Sequence, residues 1–155
     1  MRLAVAADHA GVDLKRELAL RLRRAHRVQD LGVRTRRAVD YPDVAKALAD
    51  RIRRGGAERG LLICGSALGV CVAANKAPGI RAGTCHDTYS ARQGVEHDDL
   101  NVLCLGSEVV GAELAAELVK AFLNARFEGG ERYVRRLQKV QAIEKERWDE
   151  RVTTA

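Results

Sequence analysis

The run Leu61-Leu62-Ile63-Cys64-Gly65-Ser66-Ala67-Leu68-Gly69 joins a short apolar stretch to a cysteine, a glycine, a hydroxyl residue and a second glycine, and Val70 to Lys76 then reads as the start of a helix. A buried strand would thus deliver a thiol to a tight turn, in front of unpaired backbone N–H groups and the positive end of a helix dipole. A thiol placed there is expected to ionise more easily than a free one, so that a base and oxyanion donors share one turn. The alternative is a small buried hydrophobe at a strand end. Asp8-His9-Ala10-Gly11 sets a carboxylate and an imidazole at another strand–helix turn, suited to sugar hydroxyls or a phosphate, although Asp8 is equally a helix cap. Glu96-His97-Asp98-Asp99 puts carboxylates beside a histidine, which raises its pKa and orients it for proton transfer, against the alternative of a polar loop. Arg132, Arg135 and Arg136 fall on one helical face and could grip phosphate or stay solvated. Pairing His86-Asp87 with His97-Asp98 matches no ligand spacing, and no metal site is expected.

Elements that would position these residues follow from periodicity. The segment 2–7 reads as a buried parallel strand, and Gly11 to Arg24 as a helix with apolar Val12, Leu14, Leu18, Leu20 and Leu22. A short strand at 27–31 and a polar loop from Gly32 to Asp40 precede a helix opened by Tyr41-Pro42-Asp43 and stopped at Gly55-Gly56. Strand 60–64, helix 67–76, a turn at Pro78-Gly79, strand 80–85, helix 87–94 and strand 101–105 follow. Helix 111–126 and a last helix from Glu131 to about Trp148 complete the chain. Five strand–helix alternations predict a Rossmann-like α/β/α sandwich with a five-stranded parallel sheet and an extra C-terminal helix. Ligands of such sheets lie beyond the carboxyl ends of the strands, so Asp8-His9, Cys64-Gly65-Ser66 and His86-Asp87 should meet on one edge. The last helix, apolar at Val134, Leu137, Val140 and Ile143, could cover a partner subunit as well as its own sheet.

Length and composition narrow the classes. With 155 residues, 46% hydrophobic and 31% charged, the chain suits a single domain over 1–148 with a flexible tail at 149–155. No apolar run spans a bilayer and the first residues do not read as a signal peptide, so a cytoplasmic protein is expected. Cys64, Cys71, Cys85 and Cys104 form no Cys-x-x-Cys pair and read as free thiols in a reducing compartment. The net charge of +6 is spread over arginines interleaved with acids, and aromatics are only 4%, which argues against a nucleic-acid platform. The motifs G-x-x-x-x-G-K-[ST], G-x-G-x-x-G and G-x-S-x-G are absent, which argues against nucleotide hydrolysis, NAD chemistry and a hydrolase elbow.

Taken together, Asp8-His9-Ala10-Gly11, Asp40-Tyr41-Pro42, Ile63-Cys64-Gly65-Ser66, Ala73-Ala74-Asn75-Lys76 with Gly79-Ile80-Arg81-Ala82, Tyr89-Ser90-Ala91 and Glu96 to Leu103 resemble the type B ribose-5-phosphate isomerase family, over residue 2 to about 146. That family also includes galactose-6-phosphate isomerase subunits and some tetrose-phosphate isomerases. The resemblance implies an aldose–ketose isomerase acting through an enediolate, with no metal or organic cofactor, as a homodimer or a dimer of dimers with shared active sites. By position, Cys64 matches the base of one branch; another branch uses a glutamate where this chain has Val70. Ser66 matches the hydroxyl residue that moves the proton between oxygens, and Asp8 and His97 match residues linked to ring opening. His9, Arg132 and Arg136 match phosphate ligands and Tyr41 lines the pocket, with His97 and its neighbours coming from the partner. The amides from Gly65 to Gly69 would hold the enediolate. Three positions depart from the pattern. Ala67 replaces the usual glycine, Asp98 a common asparagine in the substrate site, and Glu108 an arginine that reaches the phosphate. The reversed charge leaves two alternatives, a phosphate held by fewer arginines or an unphosphorylated sugar.

Overall fold

The computed structural model describes residues 1–146. Its centre is set by apolar runs. Leu3 to Ala7 in β1 (Arg2–Ala7) and Leu61 to Ile63 in β3 (Arg59–Cys64) are fully buried, and Val102 to Leu105 in β5 (Val102–Gly106) likewise. Such runs are satisfied only by a parallel sheet covered on both faces, where each large aliphatic side chain contributes about 1.5–3 kcal/mol. With β2 (Arg27–Asp30) and β4 (Ala82–Thr84) the strands form one parallel sheet in the order β2-β1-β3-β5-β4. Helices α1 (Val12–Leu22), α4 (Thr88–Asp98) and α5 (Ala112–Asn124) cover the face carrying Leu3, Val5, Leu61, Ile63, Leu103 and Leu105. Helices α2 (Tyr41–Arg53) and α3 (Leu68–Ala74) cover the other face, which carries Ala4, Ala6, Leu62, Cys64 and Cys104. This is the expected sandwich, and α6 (Glu131–Lys145) is the additional helix, packed on α4. The strand order turns around between β1 and β3, which opens a crevice at their carboxyl ends.

Several expectations are corrected. Strand 80–85 shrinks to three residues, because Ile80 N–H closes the preceding turn onto Ala77 and Arg81 N–H is taken by Asn101 Oδ1. Helix 87–94 runs on to Asp98, so Glu96, His97 and Asp98 belong to a helix and not to a loop. Gly94 does not end it, because Leu100 packs over that glycine, and the stop comes at Asp99, which takes the left-handed conformation (φ 51°). In α1, Leu20 faces solvent and Lys15 takes an inward position. On α6 only Tyr133 is buried, and Val140 and Ile143 remain half exposed. The last helix ends at Lys145 and not at about Trp148, because Glu146 takes an extended backbone; the expected tail at 149–155 lies outside the described residues. Among the described residues no helix is long and apolar enough to cross a membrane.

Lys15 ties the loop after β2 to the fold. Its side chain is 2% exposed, and Nζ donates to Asp30 Oδ1 and to the Val33 carbonyl, both at 2.6 Å. A buried ion pair gains little over an apolar pair, but removing one partner strands the other. Asp30→Ala is therefore expected to lower the unfolding free energy by about 3 kcal/mol in urea titrations. A loss below about 1 kcal/mol would show that the ammonium finds water instead.

Candidate active site

Three strand ends interlock at the crevice. Asp8 N–H donates to the Ile63 carbonyl (3.2 Å), continuing the β1–β3 pairing. After β5, Ser107 N–H donates to the Cys64 carbonyl (2.8 Å), and its hydroxyl reaches the Ala10 and Cys64 carbonyls at 3.0 and 3.1 Å. His86 Nε2 accepts from Gly106 N–H at 3.3 Å. The turns bearing Asp8-His9, Cys64-Gly65-Ser66 and His86-Asp87 thus share one edge, as expected. Gly11 allows this closeness, since a Cβ there would lie 2.7 Å from the Ile63 backbone oxygen.

On that edge Asp8 Oδ1 accepts from the amides of Ala10 (3.0 Å) and Gly11 (3.2 Å), which shapes the turn ahead of α1; the helix cap itself is Gly11, so Asp8 is not the cap. Oδ2 makes no hydrogen bond among the described residues. His9 Nδ1 accepts from Val39 N–H (3.4 Å), which selects the tautomer with a proton on Nε2 and leaves that donor for a ligand. Tyr41 opens α2 and lies against Gly69, where a Cβ would come 2.9 Å from the ring. Cys64 ends β3 at 5% exposure, with its side chain toward α3. The chain reverses at Ala67, which is fully buried in the left-handed conformation (φ 71°), the backbone angle that glycine takes without strain. Ser66 Oγ accepts from Leu68 N–H at 3.4 Å. The first intrahelical bond of α3 runs from Cys71 N–H to Ala67, so the amides of Leu68 to Val70 precede the ladder. Glu108 adds a carboxylate beside the turn, with Oε1 3.2 Å from where a Gly65 Cβ would stand. It makes no side-chain hydrogen bond or ion pair among the described residues.

The other expected site residues lie elsewhere in the chain. Helix α4 starts at the carboxyl edge and ends at the opposite edge, about 16 Å away by helical rise. This separates His86-Asp87 from His97-Asp98. There His97 stacks on Tyr133 with ring centroids 4.3 Å apart, and its Nε2 lies 3.1 Å from the Tyr133 hydroxyl and 3.8 Å from Glu128 Oε1. Arg132 donates to the same hydroxyl and covers the ring. Asp98 and Arg136 line a cleft of about 340 Å³ between α6 and the β4 edge, with Leu100, Leu137 and Val140. The expected site residues thus fall into two separate groups: Asp8, His9, Tyr41, Cys64, Gly65, Ser66 and Gly69 in one, His97, Asp98, Arg132 and Arg136 in the other.

Some contributors escaped the sequence reading. Ser107 could have been found by examining the residue after each strand; Val39 acts through its backbone and Tyr133 through stacking, which no motif signals. Cys71 carries the perturbed thiol. A hydrogen bond from Cys104 pulls it down to about 6, against burial that pushes it up, while burial holds Cys85 up at about 11. Cys104, which keeps its proton to donate to Cys71, is raised well above an ordinary thiol.

Comparison with known proteins places the chain among sugar-phosphate isomerases. The chain is 42% identical over 147 residues to ribose-5-phosphate isomerase B of Escherichia coli, covering 94% of this chain and 98% of that protein. It is 43% identical over 132 residues to a D-erythrulose-4-phosphate isomerase of Pectobacterium atrosepticum, covering 84% and 87%. The solved structure of Clostridium thermocellum ribose-5-phosphate isomerase B superposes with a TM-score of 0.91 at 44% identity, over 94% of this chain and 98% of that one. A family model described as Ribose/Galactose Isomerase matches residues 3–140, the span from β1 into α6, and the chain belongs to that family.

Proposed function

We propose that this protein is a sugar-phosphate aldose–ketose isomerase that interconverts ribose 5-phosphate and ribulose 5-phosphate. The observation that carries the reading is the convergence of Cys64, Asp8, His9 and Tyr41 on the crevice between β1 and β3, in a chain this similar to isomerases of C5 and C4 sugar phosphates. In this reading Asp8 and His97 open the sugar ring. The Cys64 thiolate takes the proton from C2, beside the C1 carbonyl, and the electron pair moves onto O1 as an enediolate held by the amides from Gly65 to Gly69. Ser66 passes a proton between O1 and O2, and Cys64 returns its proton to C1. Substrate and product are isomers, so no redox partner enters the balance. His9 Nε2–H, Arg132 and Arg136 take the phosphate, and Tyr41 and Asp98 line the sugar.

Because the two groups occupy opposite ends of one chain, the reading requires a second copy: a homodimer, or a dimer of dimers, whose partner supplies His97, Asp98, Arg132 and Arg136. Its support is exposed apolar surface on both halves, with Leu68 and Val72 one turn apart on α3 and Val140 and Ile143 on α6. Four free thiols fit a cytoplasmic setting. The unpaired Glu108 carboxylate beside Gly65 favours a second reading, in which the group bound there is a sugar hydroxyl and not a phosphate.

Three measurements test these statements. In heavy water, Cys64→Ala should lose deuterium exchange at the carbon beside the carbonyl by at least about a thousandfold while circular dichroism is unchanged; exchange at the wild-type rate would remove Cys64 from the chemistry. Alkylation mapped by mass spectrometry should show Cys71 reacting with a midpoint near pH 6 and Cys85 near pH 11, because the thiolate is the reactive form above each pKa. A midpoint for Cys71 near 9 would mean that Cys104 does not donate to it. Glu108→Arg should tighten binding of a phosphorylated pentose by about tenfold, by removing one like charge and adding a paired donor; unchanged or weaker binding would place the phosphate away from Gly65.

A further inference from the structure

The amino edge of the sheet, at the opposite end from the Cys64 turn, carries a built basic basin. β1 and β2 begin there with Arg2 opposite Arg27, so both side chains leave neighbouring strands on the same face. Gln29, two residues past Arg27, shares that face, and α2 packs against it and brings Arg51. Arg51 Nε donates to Gln29 Oε1, which fixes the guanidinium. The same group lies flat against Gly56, where a Cβ would fall 2.3 Å from Nε and 2.4 Å from Cζ. Arg2, Arg27, Val28, Gln29, Arg51 and Gly56 line one open cavity of about 550 Å³.

The charges in this basin do not balance. Glu58 accepts from Arg2 through its backbone amide (3.2 Å) and Nε (3.3 Å). Arg27 has no side-chain hydrogen bond or ion pair among the described residues, and Arg51 is engaged there only through Nε. Like charges directly opposite on adjacent strands are unfavourable, and three guanidinium groups face one carboxylate. Convergent arginines with free paired donors match phosphoryl oxygens, which they can grip bidentately. The cavity is larger than one phosphate needs. The geometry points to a second anion site, separate from the isomerase centre, that binds an oligophosphate chain of two or three phosphoryl groups, free or carried on a nucleoside.

Titration calorimetry on the full chain at about 0.15 M salt, an ionic strength that screens non-specific surface attraction, tests this. Tripolyphosphate and ATP should each bind once per chain with similar affinity, and AMP at least tenfold more weakly. Arg27→Gln, at an exposed position, should weaken tripolyphosphate about tenfold. Gly56→Ala, which keeps every charge and displaces only the Arg51 guanidinium, should do the same. Glu58→Gln, which frees Arg2, should tighten binding severalfold. All three variants should keep wild-type isomerase turnover, and Cys64→Ala should bind tripolyphosphate as the wild type does. The proposal is overturned by absence of saturable binding up to millimolar tripolyphosphate, or by affinity unchanged in both Arg27→Gln and Gly56→Ala. It is equally overturned by binding of ATP without tripolyphosphate, which would place recognition on the nucleoside.

Discussion

The parallel register of β1, β3 and β5 is the constraint on which everything else in this molecule rests. Leu61 faces Val5 and Leu103, and Ile63 faces Ala7 and Leu105, so all three strands end at one level. A slip of one residue would turn Cys64 from the α3 side to the opposite face, because side chains alternate strictly along a strand. Full burial on both faces makes such a slip prohibitive. The chain reversals after the strands are then pinned to one another by main-chain bonds and by the Ser107 hydroxyl, so the edge behaves as a single rigid piece.

That rigidity extends to His9 through a relay. The buried Lys15 ammonium holds Asp30 and the Val33 carbonyl, which fixes the entry to the loop ending at Asp40; Val39 in that loop fixes the imidazole. The imidazole proposed to bind phosphate is thus oriented through a buried lysine on the far side of the loop. Ala67 adds strain of about 1–2 kcal/mol for its left-handed backbone, and the fully buried surroundings of its methyl group hold it there.

Helix direction explains why the candidate site residues fall into two groups. In a parallel α/β sandwich every helix runs back against its strands, so residues at a helix end lie far from those at a strand end. His97 and Asp98 close α4, and the α6 arginines pack beside them. Under the proposed function the two groups meet only across two copies of the chain, and α3 and α6 leave apolar residues exposed.

Strand cores, the Pro-opened α2 and the Cys64 turn were legible in the residue order because they depend on local periodicity and turn chemistry. The ends of β4 and α4 were not: Asn101, twenty residues on, takes the Arg81 amide just ahead of β4, and Leu100 folds back over Gly94 once Asp99 turns left-handed. Lys15 reads as a surface cation until Asp30 and Val33 close over it. The order of amino acids alone therefore dictated the layers, the crossover topology and which residue types stand at each strand end, since these follow from alternation, burial and backbone preference. Only folding in three dimensions decided that His97 and Arg132 gather around Tyr133 at the far edge, that Cys71 meets the Ala82 carbonyl, and that three arginines converge beside Gly56. Those outcomes depend on distances between segments remote in the chain, which no local pattern encodes.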